Sequence, residues 1–180
     1  MQSSKFKVQS SKFKISKPVP DRFRNLKLTH LDSQGRAKMV DVTPKKESKR
    51  VAVARGSVLM RAETLNLIED KALAKGDLFN VARIAGILAA KKVDSLIPLS
   101  HPLLLTNAEV NLKINKRRGC IDIESCITCV GKTGVEMEAL TSVAVAALTI
   151  YDMCKAVDKE MVIEGVYLVE KKKNCRGSIY

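Results

Sequence analysis

The sequence of 180 residues predicts an α+β fold in which an antiparallel sheet carries helices packed on one face. Apolar and polar residues alternate in several short segments, as they do in half-buried strands. In two longer segments apolar residues recur at three- and four-residue steps, as they do in helices. These segments follow one another in the order β-α-β-β-α-β, which is the ferredoxin-like arrangement, with one extra short helix.

The first strand is predicted at residues 51–60 and the extra short helix at residues 62–70. In the strand, a roughly alternating, β-prone pattern is formed by Val51, Val53, Ser57 or Val58, and Met60. The segment AETLNLIED that follows is helical in propensity. The chain is therefore expected to turn from strand to helix near residue 61.

The second helix is predicted to begin after Asp77, its N-cap residue, and to run through Lys92. Gly76 interrupts the chain just before it. The apolar residues that recur along this helix and predict its buried stripe are Leu78, Val81, Ala82, Ala85 and Leu88.

A β-hairpin, the longest helix and a last strand complete the fold. Residues 107–114 and 121–127 alternate on either side of the polar turn NKRRG, which predicts the hairpin. Residues 135–157 form the strongest helix, and we expect 139–150 to be largely buried because this stretch carries no charge. The last strand is predicted at 161–169.

The formal net charge of +13 is concentrated at the two ends of the chain. The first 27 residues hold eight Lys or Arg and one acid, and the last ten hold four Lys or Arg and no acid, which leaves +2 for the middle. We therefore assign a flexible basic tail to 1–27, one domain to 28–171 and a basic C-terminal tail to 172–180. A mitochondrial transit peptide is the alternative for the first tail, although such peptides favour Arg, which is absent before position 22.

Composition excludes several classes of protein. With 46% apolar and 28% charged residues the chain is typical of globular proteins. No apolar run approaches the roughly 20 residues that a membrane-spanning helix needs, and a secretory signal is absent. Five cysteines, an odd number, come without such a signal, so a reducing, cytoplasmic compartment is predicted, or a mitochondrial one if the basic tail is a transit peptide.

An RNA-binding module of the same element order is the alternative function. The basic excess suits an RNA partner. RNA-binding domains of this fold also stack bases on aromatic residues of the central strands. Residues 51–60, 107–115 and 119–127 contain no aromatic residue. The stacking surface is missing, so we rank this function second.

Cys126 and Cys129 have the spacing of a zinc or redox pair. The chain has only two His and no second pair of this kind to complete a tetrahedral set. The two cysteines also fall in a predicted strand, where residues three apart face opposite sides. Ordinary packing is favoured, and we predict no metal site.

Two loops carry candidate functional residues. His101 lies in IPLSHP, between two prolines that hold the segment extended. This histidine is either satisfied by backbone hydrogen bonds, or it acts as a hydrogen-bond donor to a phosphate or as a general acid–base. Lys75 precedes Gly76 at a predicted helix start, where anions bind well, although a solvated surface lysine is the commoner case.

The longest helix carries charged candidates at both ends. Asp152 and Lys155 share a face and follow the charge-free stretch, which predicts a partly buried pair suited to proton transfer. Glu138, with Glu136, lies at the other end, about 21 Å from Asp152 at about 1.5 Å per residue. One compact substrate reaches both ends only if different subunits build the site. The spacing thus predicts an oligomer, unless the two glutamates merely complement the helix dipole.

Several segments together are similar to the cyclic pyranopterin monophosphate synthase family, also called molybdenum cofactor biosynthesis protein C. The matching segments span about residues 28–171 and are LTHLD with MVDV, KGD with ARIAG, LIPLSHP, GKTGVEMEALT and AALTIYDMCKA. The last two are long and highly specific.

The resemblance implies a ferredoxin-like subunit in a homohexamer, a trimer of dimers, with active sites at subunit interfaces. It implies a lyase that converts (8S)-3′,8-cyclo-7,8-dihydroguanosine 5′-triphosphate to cyclic pyranopterin monophosphate and releases diphosphate. The partner is thus a small nucleotide-derived substrate, with neither nucleic acid nor membrane. No cofactor is implied, although Mg²⁺ can arrive with the triphosphate.

The resemblance also implies roles for individual residues. The catalytic acid–base group would be Asp152, Lys155 and Lys75. The substrate-binding and supporting residues would be Leu99, Ser100, His101, Met137, Glu138, Glu136, Arg50, Asp41 and Lys171. The cationic ones would hold phosphates and stabilise the departing diphosphate. This chain differs from the family in Ser100, where many members carry Cys, and in its ending KKKNCRGSIY, which replaces a Gly-rich tail.

Overall fold

The computed structural model describes residues 30–70 and 77–174 of the chain. The whole predicted N-terminal tail, Lys75 and residues 175–180 lie outside the described residues. Four strands and four helices occur in the described part. In chain order they are β1 (Ser48–Leu59), α1 (Ala62–Glu69), α2 (Leu78–Ala90), α3 (Val93–Leu96), β2 (Leu105–Asn115), β3 (Cys120–Gly131), α4 (Glu136–Cys154) and β4 (Val162–Asn174). Of these, α3, a single helical turn after α2, is not predicted by the sequence.

The four strands form one antiparallel sheet in the order β2-β3-β1-β4. β1 pairs with β3 from Ser48, opposite Gly131, to Leu59, opposite Cys120. The hairpin of β2 and β3 closes through a turn that ends at Gly119, whose φ of 66° lies in the left-handed region that favours glycine. This topology confirms the predicted ferredoxin-like α+β fold.

The core lies between the sheet and α4. The residues of β3 and α4 that meet there and are at most 1% exposed include Ile121, Ile123, Ile127, Val143, Ala146, Ala147 and Ile150. The charge-free stretch 139–150 is largely buried as predicted, with Leu148 exposed. By length and composition α4 could cross a membrane, but half of it is buried inside the fold. It is the central helix of the core.

The buried face of β1 carries mainly small residues. Ala52, Ala54 and Val58 are fully buried, whereas Val51 and Val53 are half-buried. Small residues face α4 because the helix lies close: a Cβ added at Gly56 would lie 2.8 Å from Cγ1 of Val143. Side-chain size, which the alternation of β-branched residues does not report, decided the face.

The helix α2 begins as predicted but buries a different stripe. The carboxylate of Asp77 caps it by accepting a hydrogen bond from the Asn80 N–H at 3.1 Å. The buried residues are Leu78, Ala82, Gly86, Ala89 and Ala90. The predicted stripe members Val81 and Leu88 are 43% and 51% exposed. Close packing on α4 selects the small residues of α2, because a Cβ at Gly86 would already lie 2.9 Å from the Ser142 carbonyl oxygen.

The strand β4 is longer than predicted and ends beside the start of α4. Its residues 170–174 pair with the beginning of β1, and Lys171 lies opposite Ala52. The loop between β3 and α4 starts at the same end of the sheet, because Ser48 pairs with Gly131. Lys171 is thereby brought close to the first turn of α4.

Candidate functional site

A cavity of about 450 Å³ opens at the N-terminal end of α4. Its walls come from residues 30–45, the loop 99–101, the segment 133–138 and the end of β4. Seven residues named in the sequence analysis line it: Leu99, Ser100, His101, Glu136, Met137, Glu138 and Lys171. The fold thus brings together side chains from three distant parts of the chain.

A larger concavity, of about 510 Å³, lies on the helix-free face of the sheet. It contains none of the predicted site residues, and several of its charges are paired with one another. Arg55 pairs with Glu124 at 2.6 Å, and Arg118 pairs with Asp122 at 2.9 Å and with Glu164 at 3.1 Å. The predicted residues meet in the smaller cavity instead. We therefore assign the site to the smaller cavity.

Glu138 is the buried acid of the cavity. Its side chain is 3% exposed in the first turn of α4. Burial raises the pKa of Glu138 from 4.5 to about 7, and the nearby Glu136 charge adds to the rise. A carboxyl with this pKa holds or releases a proton near neutral pH. Glu138 therefore has a chemical capacity beyond complementing the helix dipole.

Glu136 and Lys171 form an ion pair at the mouth of the cavity. The pair joins the first turn of α4 to β4. The carboxylate of Glu136 lies directly over Gly134, where any Cβ would overlap it. Lys171 is 58% exposed and is therefore accessible to a ligand.

Arg50 and Asp41 support the walls of the cavity. The buried guanidinium of Arg50 donates to the carbonyl oxygens of Gly131 and Lys132 at 3.4 and 3.2 Å, and so holds the loop before α4. The exposed carboxylate of Asp41 accepts a hydrogen bond from the Thr43 N–H at 2.8 Å, which lowers the pKa of Asp41. Asp41 is therefore ionised at neutral pH.

His101 uses one ring nitrogen within the protein. Its Nε2 lies 2.8 Å from the carbonyl oxygen of Val40. A carbonyl oxygen can only accept, so Nε2 carries the proton. The backbone hydrogen bond considered for this histidine in the sequence analysis is thus present. Nδ1 is the ring nitrogen left for a ligand, and in neutral imidazole it is an acceptor.

Asp152 and Lys155 lie at the other end of α4. Nζ of Lys155 is 2.6 Å from Oδ1 of Asp152, and the side chains of Lys155 and Asp152 are 55% and 62% exposed, respectively. The expectation of a partly buried pair is wrong for the single chain, because these residues fall at the end of α4 rather than within its buried stretch. The hydrogen bond and charge of Asp152 raise the pKa of Lys155. Lys155 is therefore a protonated ammonium at neutral pH.

Sequence reasoning missed several residues around the cavity. His30, Lys45 and Thr133 line it, and Lys132 donates from Nζ to the Thr43 carbonyl oxygen at 3.1 Å. The segment GKTG at 131–134 was a usable signal, because a lysine and small residues just before a long helix favour anion binding. Residues 30–45 show no periodic pattern, and within them the family resemblance pointed to Asp41 alone as a supporting residue. Lys75 lies outside the described residues.

The two cysteines of the CxxC motif face opposite sides of β3, as predicted. Cys129 is fully buried and Cys126 is half-buried. Burial raises the pKa of the Cys129 thiol, which keeps it protonated and unreactive. Within residues 30–70 and 77–174, no group of three or more His, Cys, Asp or Glu side chains is arranged to hold a metal ion.

Comparisons with known proteins converge on one family. The model of the MoaC family matches residues 39–174. The cyclic pyranopterin monophosphate synthase of Thermomicrobium roseum is 57% identical over 151 residues, which cover 84% of this chain and 91% of that protein. The enzyme of the same name from Pelotomaculum thermopropionicum is 58% identical over 150 residues, covering 83% of this chain and 88% of that protein. The one from Desulfitobacterium hafniense is 57% identical over 152 residues, covering 84% and 93%.

Proposed function

The chain belongs to the MoaC family, and on this premise we propose that its cavity at the start of α4 binds the substrate of a cyclic pyranopterin monophosphate synthase. The protein is a lyase of molybdenum cofactor biosynthesis. It converts (8S)-3′,8-cyclo-7,8-dihydroguanosine 5′-triphosphate to cyclic pyranopterin monophosphate and releases diphosphate. One observation carries the placement of the site: seven side chains named from the family pattern line one cavity.

The cavity suits this substrate in its charges. Lys171 is exposed at the mouth and Arg50 supports the adjoining loop, so cationic groups stand near the position of the phosphates. Departure of diphosphate develops negative charge on oxygen, which cations stabilise. Rearrangement of the ring needs proton transfers, for which Glu138 has a suitable pKa of about 7.

We assign the catalytic acid–base group to Asp152, Lys155 and Lys75. Lys155 is protonated beside Asp152, so it can donate a proton to a leaving oxygen or stabilise the charge on it. Asp152 holds the ammonium in place. These groups act on the substrate together with the cavity of a neighbouring subunit.

A composite site is supported by the geometry of α4. Glu138 and Asp152 lie in its first and last turns, about 21 Å apart at about 1.5 Å per residue. The large side chains of Val81, Ile84 and Leu88 form an exposed apolar stripe on α2 that a subunit contact would bury. We propose a homohexamer built as a trimer of dimers, with each site shared between two subunits.

The activity is tested by incubating the purified full chain with the cyclic dihydroguanosine triphosphate and measuring diphosphate release. Wild-type protein should turn over and Lys155→Ala should lose at least about 10²-fold in kcat, the lower range for a lost acid–base group. Lys159→Ala, which changes a nearby exposed lysine, is the matched control. A folded oligomer with no turnover, or one that binds RNA tightly and with strong salt dependence instead, contradicts the assignment.

Sharing of the site is tested by complementation. Lys155→Ala and Glu138→Gln chains are each expected to be inactive. When they are mixed under conditions that exchange subunits, about a quarter of the wild-type activity should return, since random pairing gives that share of sites both intact residues. If the mixture stays inactive although mixed oligomers form, both residues act within one chain.

The metal and the compartment complete the proposal. No resident cofactor takes part, and Mg²⁺ enters as a companion of the triphosphate. We place the protein in the cytoplasm. In support, Cys120, Cys126 and Cys129 are free thiols in the described part of the chain, as expected of proteins in a reducing compartment.

A further inference from the structure

One wall of the cavity is a segment without helix or strand, residues 38–45, which we call the strap. Val40, Val42 and Lys45 of the strap line the cavity. The two valines are half-buried, whereas Asp41 between them is exposed. The strap therefore turns its apolar side towards the cavity at residues 40–42 and ends in a turn at 43–45 that carries Lys45.

Two side chains from elsewhere in the fold hold the strap. His101 Nε2 donates to the Val40 carbonyl oxygen at 2.8 Å, and Lys132 Nζ donates to the Thr43 carbonyl oxygen at 3.1 Å. A third hydrogen bond, from the Lys38 N–H to the His30 carbonyl oxygen at 2.9 Å, joins the first residue of the strap to the segment before it. Among the described residues, the two side-chain hydrogen bonds are the ones that tie residues 39–45 to the rest of the chain. Its other hydrogen bonds are local, such as Lys45 N–H to the Val42 carbonyl oxygen at 3.0 Å.

The two anchors belong to two different segments beside the cavity. His101 belongs to the loop 99–101, which forms one wall, and Lys132 lies in the loop just before the lining residues Thr133 and Gly134. Arg50 fixes this second loop by donating to the Lys132 carbonyl oxygen at 3.2 Å. The anchors are thus held by the fold itself, and the strap runs between them.

We propose that His101 and Lys132 are positioning residues that fasten the strap across the substrate cavity, and that the strap supplies Lys45 as a further cation for the substrate phosphates. The assignment of Lys45 rests on the proposed function, whereas the fastening of the strap does not. A strap that is free to leave the cavity lowers the fraction of protein that is ready to bind substrate. KM then rises by the inverse of that fraction, and the chemical step is unchanged.

The two amide analogues of histidine separate this role from catalysis by His101. The side-chain NH₂ of Gln reaches the position of Nε2 and can still donate to Val40, whereas the shorter Asn side chain reaches only the position of Nδ1. If His101 works through Nε2, His101→Gln should keep the strap in place and His101→Asn should release it. If it acts on substrate through Nδ1, the order of the two variants is reversed or lost.

The experiment measures hydrogen exchange of the strap amides in the full chain without substrate, and KM and kcat with it. His101→Asn and Lys132→Gln should each exchange the strap amides about 5-fold to 10-fold faster than wild type, as expected for one lost hydrogen bond. KM should rise in inverse proportion to the fraction of molecules whose strap stays in place, with kcat changed less than about 2-fold. His101→Gln should stay closer to wild type than His101→Asn in both measurements. Lys132→Arg, which keeps a donor, should restore the exchange rate.

Lys45→Gln tests the cation separately. It should raise KM without accelerating exchange in the strap, and Lys113→Gln, at an exposed lysine on the opposite face of the sheet, should change neither. Equal loss of kcat in both His101 variants with normal exchange overturns the positioning role. Unchanged exchange in Lys132→Gln overturns the second anchor. If wild type fails to turn over substrate, the proposed function and the role of Lys45 fall together, while the exchange rates still decide whether the strap is fastened.

Discussion

Lys155 donates a hydrogen bond from Nζ to Oδ1 of Asp152 at 2.6 Å, at the end of α4 that is farthest from the buried carboxyl of Glu138. The pair is exposed in the single chain, and its ion pairing raises the pKa of Lys155. One helix therefore presents a protonated ammonium at one end and a carboxyl that titrates near neutrality at the other. This separation motivates the first two predictions.

Asp152→Asn should move the pH dependence of activity to lower pH. The variant removes the negative charge that raises the pKa of Lys155, so the ammonium loses its proton at lower pH than in wild type. Because Lys155 acts in its protonated form in our proposal, the basic limb of the kcat/KM profile shifts towards acid. Asp70→Asn, a change at a distant exposed aspartate, should leave the limb in place. An unmoved limb in Asp152→Asn would show that Lys155 does not set it.

Glu138 should make the protein less stable as pH rises. Burial raises its pKa from 4.5 to about 7, so the native state holds this proton more tightly than the unfolded state does. The free energy of unfolding therefore falls between pH 4.5 and about 7 and is level above that range. At about 1.36 kcal/mol per pKa unit, the loss is on the order of 3 kcal/mol.

Glu138→Gln checks this sign, because the amide has no proton to lose. Urea unfolding should give nearly equal stability for the two proteins at the acid end of that range. Above neutrality the variant should be the more stable one. Stability curves that run parallel over the whole range would contradict a raised pKa for Glu138.

Asp158→Ala should destabilise the fold strongly. The carboxylate is fully buried and accepts hydrogen bonds from the N–H groups of Arg61 and Glu160 and from the Thr64 hydroxyl, at 2.9 to 3.1 Å. Desolvation raises its pKa, but these hydrogen bonds and the Arg61 charge lower it overall. The variant leaves buried donors unpaired, so we expect a loss of about 3 kcal/mol in the free energy of unfolding. Glu160→Gln, at an exposed neighbour, should cost far less. A similar cost for both variants would mean that the buried hydrogen bonds to the Asp158 carboxylate do not stabilise the fold.

Gly86→Ala should separate α2 from α4. The added Cβ would lie 2.9 Å from the Ser142 carbonyl oxygen and 3.2 Å from Cγ2 of Val110, and the nearer contact is backbone that cannot rotate away. Overpacking of this kind costs about 1 to 3 kcal/mol, which exceeds the gain in helix propensity. Thermal unfolding should detect it, with Lys91→Ala at the exposed end of α2 as the control. A variant as stable as wild type would mean that the two helices can move apart freely.

The helices and strands were predictable where residue type and position agree. The hairpin of β2 and β3 alternates cleanly, and 139–150 is charge-free, so both follow directly from the chain. The chain did not predict which face of β1 is buried, and part of the stripe predicted for α2 is wrong. Their alanines and glycines face α4 because the helix lies close, whereas larger side chains such as Val81 and Leu88 are exposed. The distance at which two elements pack cannot be predicted from the sequence of either segment alone.

The candidate site shows the same division between what the sequence predicts and what the packed fold decides. The sequence by itself determined the family, through the long segments GKTGVEMEALT and AALTIYDMCKA, and with it the chemistry and most of the residues that carry it. The tertiary structure decided that Glu138 is buried while Asp152 and Lys155 are exposed, and that residues 38–45 form a wall held by His101 and Lys132. Desolvation and long-range hydrogen bonds depend on which distant segments meet, and only the packed fold sets these distances.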